Sequence, residues 1–178
     1  VVDRYGRWLV VQANSLAGQA AYDHVRTLMD VDNFTRYYAA EIIAANTDWP
    51  HKNVRLWRRR TPTYEPGEPE ELDGRWRWLM YDTERGFSLR ESSQPSNNTV
   101  AWAAGTFMLG KLLQNPTFRV AFINELADQS NTAFRPSRAI QVIDSLAAQI
   151  EPEMPEHIAR WGEPVSMDFW RSELQKMR

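Results

Sequence analysis

The fold is decided by the stretch Asn46-Thr47-Asp48-Trp49-Pro50-His51-Lys52-Asn53, where a helical pattern changes into a strand pattern. Before it, apolar side chains recur at helical spacing in Leu16–Met29 and Phe34–Ala45. Capping residues at 30–33 predict where the second helix begins. Pro50 cannot continue that helix, because it lacks a backbone N–H and its ring clashes with the preceding turn. The sequence therefore predicts two helices followed by a polar loop.

Two short strand patterns follow the loop. Val54–Arg58 and Arg75–Tyr81 alternate in side-chain character and are rich in β-forming residues, so we expect an antiparallel hairpin. Residues 61–74 between them contain three prolines, two glycines and a run of acids, which predicts a long exposed loop. Residues 82–100 show no clear period and should be irregular.

The rest of the chain has helical spacing, and most of the expected helices begin with proline or a capping serine. They are Trp102–Gln114, Pro116–Gln129, Pro136–Ile150, Pro155–Trp161 and Ser166–Met177. The prediction is one α+β domain, predominantly α, over residues 1–178: a small antiparallel β-hairpin packed on a bundle of about six or seven helices.

Composition narrows the function classes. The 178 residues are 43% hydrophobic and 25% charged, which suits one domain with a real core. The net charge of −2 gives no field that attracts nucleic acid, so we expect no nucleic-acid partner. The absence of cysteine excludes disulfides, thiolate zinc sites and a cysteine nucleophile. No apolar run approaches the roughly 20 residues that span a bilayer.

Acidic and amide side chains mark the candidate chemistry. Asp48 and Asn53 are five positions apart, as are the catalytic Asp and the metal-binding Asn of protein kinases, although this spacing alone is weak. Asp82 follows the second strand in a turn that continues through Glu84 to Gly86-Phe87. Mg²⁺ prefers carboxylate and water oxygens, so an acid placed there can be a metal ligand. The alternative is that each residue only caps or forms a turn.

Taken together, several blocks of the sequence resemble the CotH kinase family, the spore coat protein H family of atypical, secreted or surface-associated protein kinases. The blocks are Asp32-Asn33-Phe34, Asn46–Asn53, Leu56-Trp57-Arg58, Trp76–Phe87, Asn115–Arg119, Asn131–Phe134 and Glu153–Trp161. They cover roughly residues 30–175.

The resemblance implies a kinase-like C-terminal lobe that transfers the ATP γ-phosphate to Ser or Thr of a protein substrate, a coat or surface protein. It assigns the catalytic base to Asp48, and the binding of Mg²⁺ (or Mn²⁺) with ATP to Asn53 and Asp82. Glu84 stands where the family often has a second Asp, and it could also reach a metal. The implied location is secreted, cell-surface or spore coat.

Three further expectations remain open. Val1 does not begin a signal peptide, and no lysine precedes Asp32 to act as the phosphate-pairing lysine of a kinase N-terminal lobe. We therefore expect a piece of a longer protein, with an inactive fragment as one possibility. A non-catalytic adhesion module and a sugar-binding module with exposed tryptophans are the rivals. The arginines of 55–60 and 75–77 form either a phosphate patch or, as we expect, a solvated face opposite the acids of 65–73.

Overall fold

The computed structural model describes residues 18–87 and 97–178. These residues form eight α-helices and one two-stranded antiparallel sheet, which confirms the predicted α+β, predominantly α class. Two parts of the sequence predictions lie outside the described residues: the start of the helix Leu16–Met29 and the middle of the irregular segment 82–100.

Most element boundaries fall within a few residues of those predicted. The helices are α1 Gln19–Leu28, α2 Val31–Ile43, α3 Thr99–Ala104, α4 Phe107–Leu112, α5 Pro116–Asn131, α6 Pro136–Ile150, α7 Met154–Trp161 and α8 Met167–Met177. The strands are β1 Arg55–Trp57 and β2 Arg77–Leu79. None of the helices in the described ranges combines the length and hydrophobicity needed to cross a bilayer.

Helix α2 runs through the hydrophobic core. Its first turn is capped by the Asp30 side chain, which accepts a hydrogen bond from the backbone N–H of Asn33 at 3.0 Å. The fully buried Phe34 ring has its centroid 4.1 Å from that of Tyr38 and 4.8 Å from that of Trp78. Phe118 of α5 lies on the other side, 6.2 Å away. The helix is thus held between the hairpin and α5 by aromatic packing, which buries large areas.

Backbone and side-chain hydrogen bonds fix the hairpin to α2. The strands pair in the register Leu56↔Trp78. Asn33 closes a two-bond clamp on β2: its Oδ1 accepts from the Trp78 N–H at 2.7 Å, and its Nδ2 donates to the Trp78 carbonyl at 3.2 Å. A further backbone bond runs from Asp30 N to the Trp76 carbonyl at 2.9 Å. The start of α2 therefore sets the position of β2 and of the turn that follows it.

The arginines of the hairpin are not all solvated, so that expectation is wrong for Arg77, which is 5% exposed. Its guanidinium contacts Asp30 Oδ2 at 3.1 Å and Asp73 Oδ2 at 2.9 Å, and Arg75 contacts Asp73 Oδ2 at 2.7 Å. Burial acts to raise the pKa of Asp73, but hydrogen bonds from Arg75 and Arg77 outweigh it and hold that pKa below its ordinary value. A buried carboxylate needs such partners, so the predicted loop ends in an ion-pair network.

The predicted helix Trp102–Gln114 is two helices, α3 and α4. The helix is interrupted at Gly105 and Thr106, where Thr106 Oγ1 donates to the Ala103 carbonyl at 2.6 Å. The two helices approach so closely that a Cβ on Gly110 would lie 2.7 Å from the Ala104 carbonyl oxygen. At its other end, α3 is attached to α2 by Thr99 Oγ1, which donates to the Ile42 carbonyl at 2.9 Å.

Candidate functional site

The loop after α2 is held by a buried carboxamide. Asn46 is fully buried, and its Nδ2 donates to Glu41 Oε2 at 2.9 Å while its Oδ1 accepts from the Asp48 N–H at 3.2 Å. Trp49, 1% exposed, packs its ring 4.7 Å from that of Tyr38. The Asp48 side chain remains 19% exposed. The loop therefore has a fixed backbone and presents the Asp48 carboxylate at the surface.

The turn after β2 runs alongside this loop. Two backbone bonds join them: Thr47 N donates to the Arg85 carbonyl at 3.4 Å, and Phe87 N donates to the Ala44 carbonyl at 2.7 Å. There is little room for a side chain between these contacts, because a Cβ on Gly86 would lie 3.0 Å from the Ala44 carbonyl oxygen. The two segments predicted to carry the chemistry are thus in direct contact.

Three of the predicted acids come together at this contact. Arg85 Nε lies 3.1 Å from Asp48 Oδ2 and 3.7 Å from Glu84 Oε1. A side-chain hydrogen bond with Asp82 raises the pKa of Glu84, and the negative charges of Asp82 and Asp48 act in the same direction. Asp48, Asp82 and Glu84 are therefore one electrostatic cluster with a single guanidinium between two of its carboxylates.

Asn53 is near in sequence but is not joined to the cluster. Its side chain is half-buried. In the described part of the chain it makes no hydrogen bond to Asp48, Asp82 or Glu84. The convergence of Asn53 on these carboxylates remains a prediction.

Backbone strain is concentrated in the same two segments. The four described non-glycine residues with positive φ are Ala45 at 52°, Asn53 at 55°, Asp82 at 57° and Phe87 at 53°. Each such conformation costs roughly 1–3 kcal/mol and persists only where the surroundings impose it, which is common at working sites. Asn and Asp tolerate this region better than most residues. The strain accordingly marks both predicted ligand positions, Asn53 and Asp82.

The donor set suits magnesium rather than a metal that prefers histidine or sulfur. Across residues 18–87 and 97–178, no three His, Asp or Glu side chains are arranged to surround a metal ion. Mg²⁺, however, is usually bound by one or two carboxylates together with substrate phosphates and water. Asp82 lies close enough to Glu84 to raise the pKa of that carboxyl, so two carboxyl groups stand side by side here. Their chemistry fits a Mg²⁺ (or Mn²⁺) ion whose coordination is completed by phosphate oxygens.

The family model described as CotH kinase protein matches residues 7–178. The chain belongs to the CotH kinase family. This confirms the resemblance inferred from the motifs and relates the chain to kinases. No curated protein and no solved structure matches it.

An open cleft lies against the loop that carries Asp48 in this CotH family member. Its volume is about 510 Å³. One wall belongs to the Asp48 loop and the other to α3 and the residues after it: Thr47, Trp49, Pro50 and His51 face Ala101, Trp102, Gly105 and Thr106. The sequence did not predict this cleft, because its second wall begins some fifty residues beyond the first and depends on the break between α3 and α4.

Sequence reasoning also missed three residues of the candidate site. Glu41 and Asn46 fix the loop, and Arg85 contacts the Asp48 carboxylate. An acid on the apolar face of α2 was a usable signal for Glu41, since a buried acid requires a partner. The Asn46-x-Asp48 spacing is typical of a side chain that bonds the backbone two residues on. Arg85 carried no such signal.

Proposed function

We propose that this CotH family member transfers the γ-phosphate of ATP to a Ser or Thr hydroxyl of a protein substrate. One observation carries the proposal: Asp48 and the pair Asp82–Glu84, from two separate segments, meet in one cluster. Phosphoryl transfer requires little covalent chemistry from a protein, so catalysis depends mainly on positioned carboxylates and neutralised charge.

Asp48 is the proposed catalytic base. The hydrogen bond from its N–H to Asn46 fixes the backbone, and Arg85 engages one carboxylate oxygen, Oδ2. In this proposal the second oxygen, Oδ1, orients the attacking hydroxyl and accepts its proton. The guanidinium keeps the carboxylate in one orientation, which is the contribution that a positioning residue makes.

Asn53, Asp82 and Glu84 are the proposed ligands of Mg²⁺ (or Mn²⁺) with ATP. When bound, the ion neutralises the charge of the phosphates. Asp82 and Glu84 supply negative charge beside the Asp48 loop, and the hydrogen bond from Phe87 N to the Ala44 carbonyl keeps the two segments in contact. By family relationship, the substrate is a coat or surface protein and the full-length protein acts outside the cell or on the spore.

Calorimetric titration with ATP tests the proposal, with Mg²⁺ present and then absent. Wild type should bind ATP only with Mg²⁺. Asp82→Asn should weaken that binding at least about tenfold, because it removes a ligand charge while asparagine still tolerates the left-handed backbone at this position. Asp128→Asn is the matched control, since Asp128 is an exposed acid on α5.

Transfer of labelled phosphate to protein substrate separates the roles within the site. Asp48→Asn should retain ATP binding and lose transfer. Failure of wild type to bind ATP with Mg²⁺ would refute phosphoryl transfer and favour the non-catalytic adhesion module.

A further inference from the structure

The cleft beside Asp48 has a largely apolar lining. Its loop wall contains Trp49 and Pro50, and its helical wall contains Ala101 and Trp102. Trp102 is 43% exposed, which is unusual for so large an apolar side chain. Exposed apolar surface inside a concave site is typical of ligand recognition rather than of a solvated face.

Both walls are attached to α2, so the cleft is preformed. Thr99 Oγ1 bonds the Ile42 carbonyl and fixes the start of α3. Asn98 caps that helix by accepting from the Ala101 N–H at 2.9 Å. On the opposite wall, Trp49 is anchored by its burial against Tyr38. Binding of a ligand in the cleft therefore does not lose free energy to the ordering of either wall.

The residues that line the cleft favour a neutral ligand. Among the residues that the structure describes, those lining the cleft include no Asp, Glu, Lys or Arg, and His51 is the titratable side chain among them. A charged group inserted between Pro50 and Trp102 would lose water without gaining an ionic partner, which is costly. An aliphatic or aromatic side chain would instead gain by leaving water.

The position of the cleft identifies what carries that side chain. Thr47 and Trp49 line it, and Asp48 lies between them. Neighbouring Cα atoms are about 3.8 Å apart, and an extended peptide advances about 3.3 Å per residue. If the hydroxyl of a peptide is bound at Asp48, a side chain one or two residues away is within reach of the loop that lines the cleft.

We propose that this cleft is a specificity pocket for the protein substrate. It takes a large aliphatic or aromatic side chain located within two residues of the Ser or Thr that accepts phosphate. The proposal rests on the proposed kinase function, because that function makes Asp48 the point to which the hydroxyl is bound.

Synthetic peptides test the pocket by two independent measurements. Each peptide has one Ser, with Leu, Phe, Ala, Lys or Asp placed in turn at each position from two before to two after it. Binding is measured without ATP by fluorescence anisotropy of labelled peptides, and transfer is measured with Mg-ATP. Wild type should prefer Leu or Phe over Ala by about tenfold or more at one of these positions, and should reject Asp and Lys.

Two variants with a matched control locate the preference. Trp102→Ala should abolish it, whereas Trp161→Ala removes a tryptophan of α7 that is 63% exposed and should leave it intact. Ala101→Asp places a carboxylate in the wall, at the third residue of α3, where an acid favours the helix. It should shift the preference to Lys. This gain cannot come from a variant that has failed to fold.

The outcomes separate the pocket from the chemistry. Transfer to every peptide regardless of its neighbours would overturn the pocket and leave the kinase function standing. Selective binding of Leu or Phe peptides without transfer would support the pocket and contradict the kinase function. Absence of selective binding together with an unchanged Ala101→Asp profile would overturn the pocket.

Discussion

The buried Glu41 should make the protein lose stability as the pH rises, and Glu41→Gln should remove that dependence. Glu41 is 1% exposed, and burial raises the pKa of its carboxyl above the ordinary value of 4.5. The folded protein therefore holds this proton more tightly than the unfolded chain does. The resulting stability is fully present below pH 4.5 and is lost as the pH rises through the raised pKa.

The loss of stability on removing the Glu41 side chain can be estimated from its hydrogen bond to Asn46. Glu41→Ala leaves Asn46 Nδ2 unpaired in the interior, which costs about 1–3 kcal/mol, and opens a cavity as well. We expect a total of roughly 2–4 kcal/mol, which lowers the midpoint of thermal unfolding by roughly 5–15 °C in a chain of this length. Glu41→Gln keeps an oxygen that accepts from Asn46 and should be at least as stable as wild type at pH 7.

Urea unfolding of wild type and Glu41→Gln from pH 4 to pH 8 provides the measurement. The difference in unfolding free energy, variant minus wild type, should grow with pH from about 4.5 upward and then level off. A difference that is constant across this range would refute the reasoning, because it would show that Glu41 does not titrate differently in the two states.

Three further substitutions test the connections around the site. Gly86→Ala forces a Cβ to 3.0 Å from the Ala44 oxygen and should cost about 1–3 kcal/mol in chemical unfolding, whereas Gly67→Ala, with open space around it, should be nearly neutral. Arg85→Ala should lower the free energy of unfolding by less than about 1 kcal/mol, since the guanidinium is 40% exposed. It should nevertheless lower phosphate transfer by about tenfold or more, because Arg85 positions Asp48. Unchanged transfer at equal ATP affinity would contradict that positioning role. Asn33→Ala removes both bonds to Trp78 and should cost about 2–4 kcal/mol in urea unfolding, with a loss below 1 kcal/mol ruling out the clamp.

Local signals were sufficient to predict most of the fold. The cap at Asp30, the prolines at 116 and 136 and the serine at 166 each stand at a helix start because their effects act within one turn. The break between α3 and α4 was missed because it depends on how closely two helices approach at Gly110. Arg77 was expected in solvent because the alternating pattern of a strand does not reveal its ion-pair partners. Those partners, Asp30 and Asp73, lie on the buried side of the strand.

The candidate site was partly predictable for the same reason. The family motifs brought Asp48, Asp82 and Glu84 to attention, and the structure places them in one cluster. Neither Arg85 nor the cleft could be derived, because both depend on contacts between segments distant in sequence. The role of Asn53 stays a prediction, because spacing alone does not specify the partners of its side chain.

Helix α2 joins the two halves of the site through its ends. Asn33 at its start holds the strand that leads to Asp82, and Glu41 near its end holds the loop that carries Asp48. One residue inserted between them would turn one end relative to the other by about 100°. The cluster would then separate although none of its acids had changed. The spacing of eight residues from Asn33 to Glu41 therefore determines whether Asp48 and Asp82 lie close together.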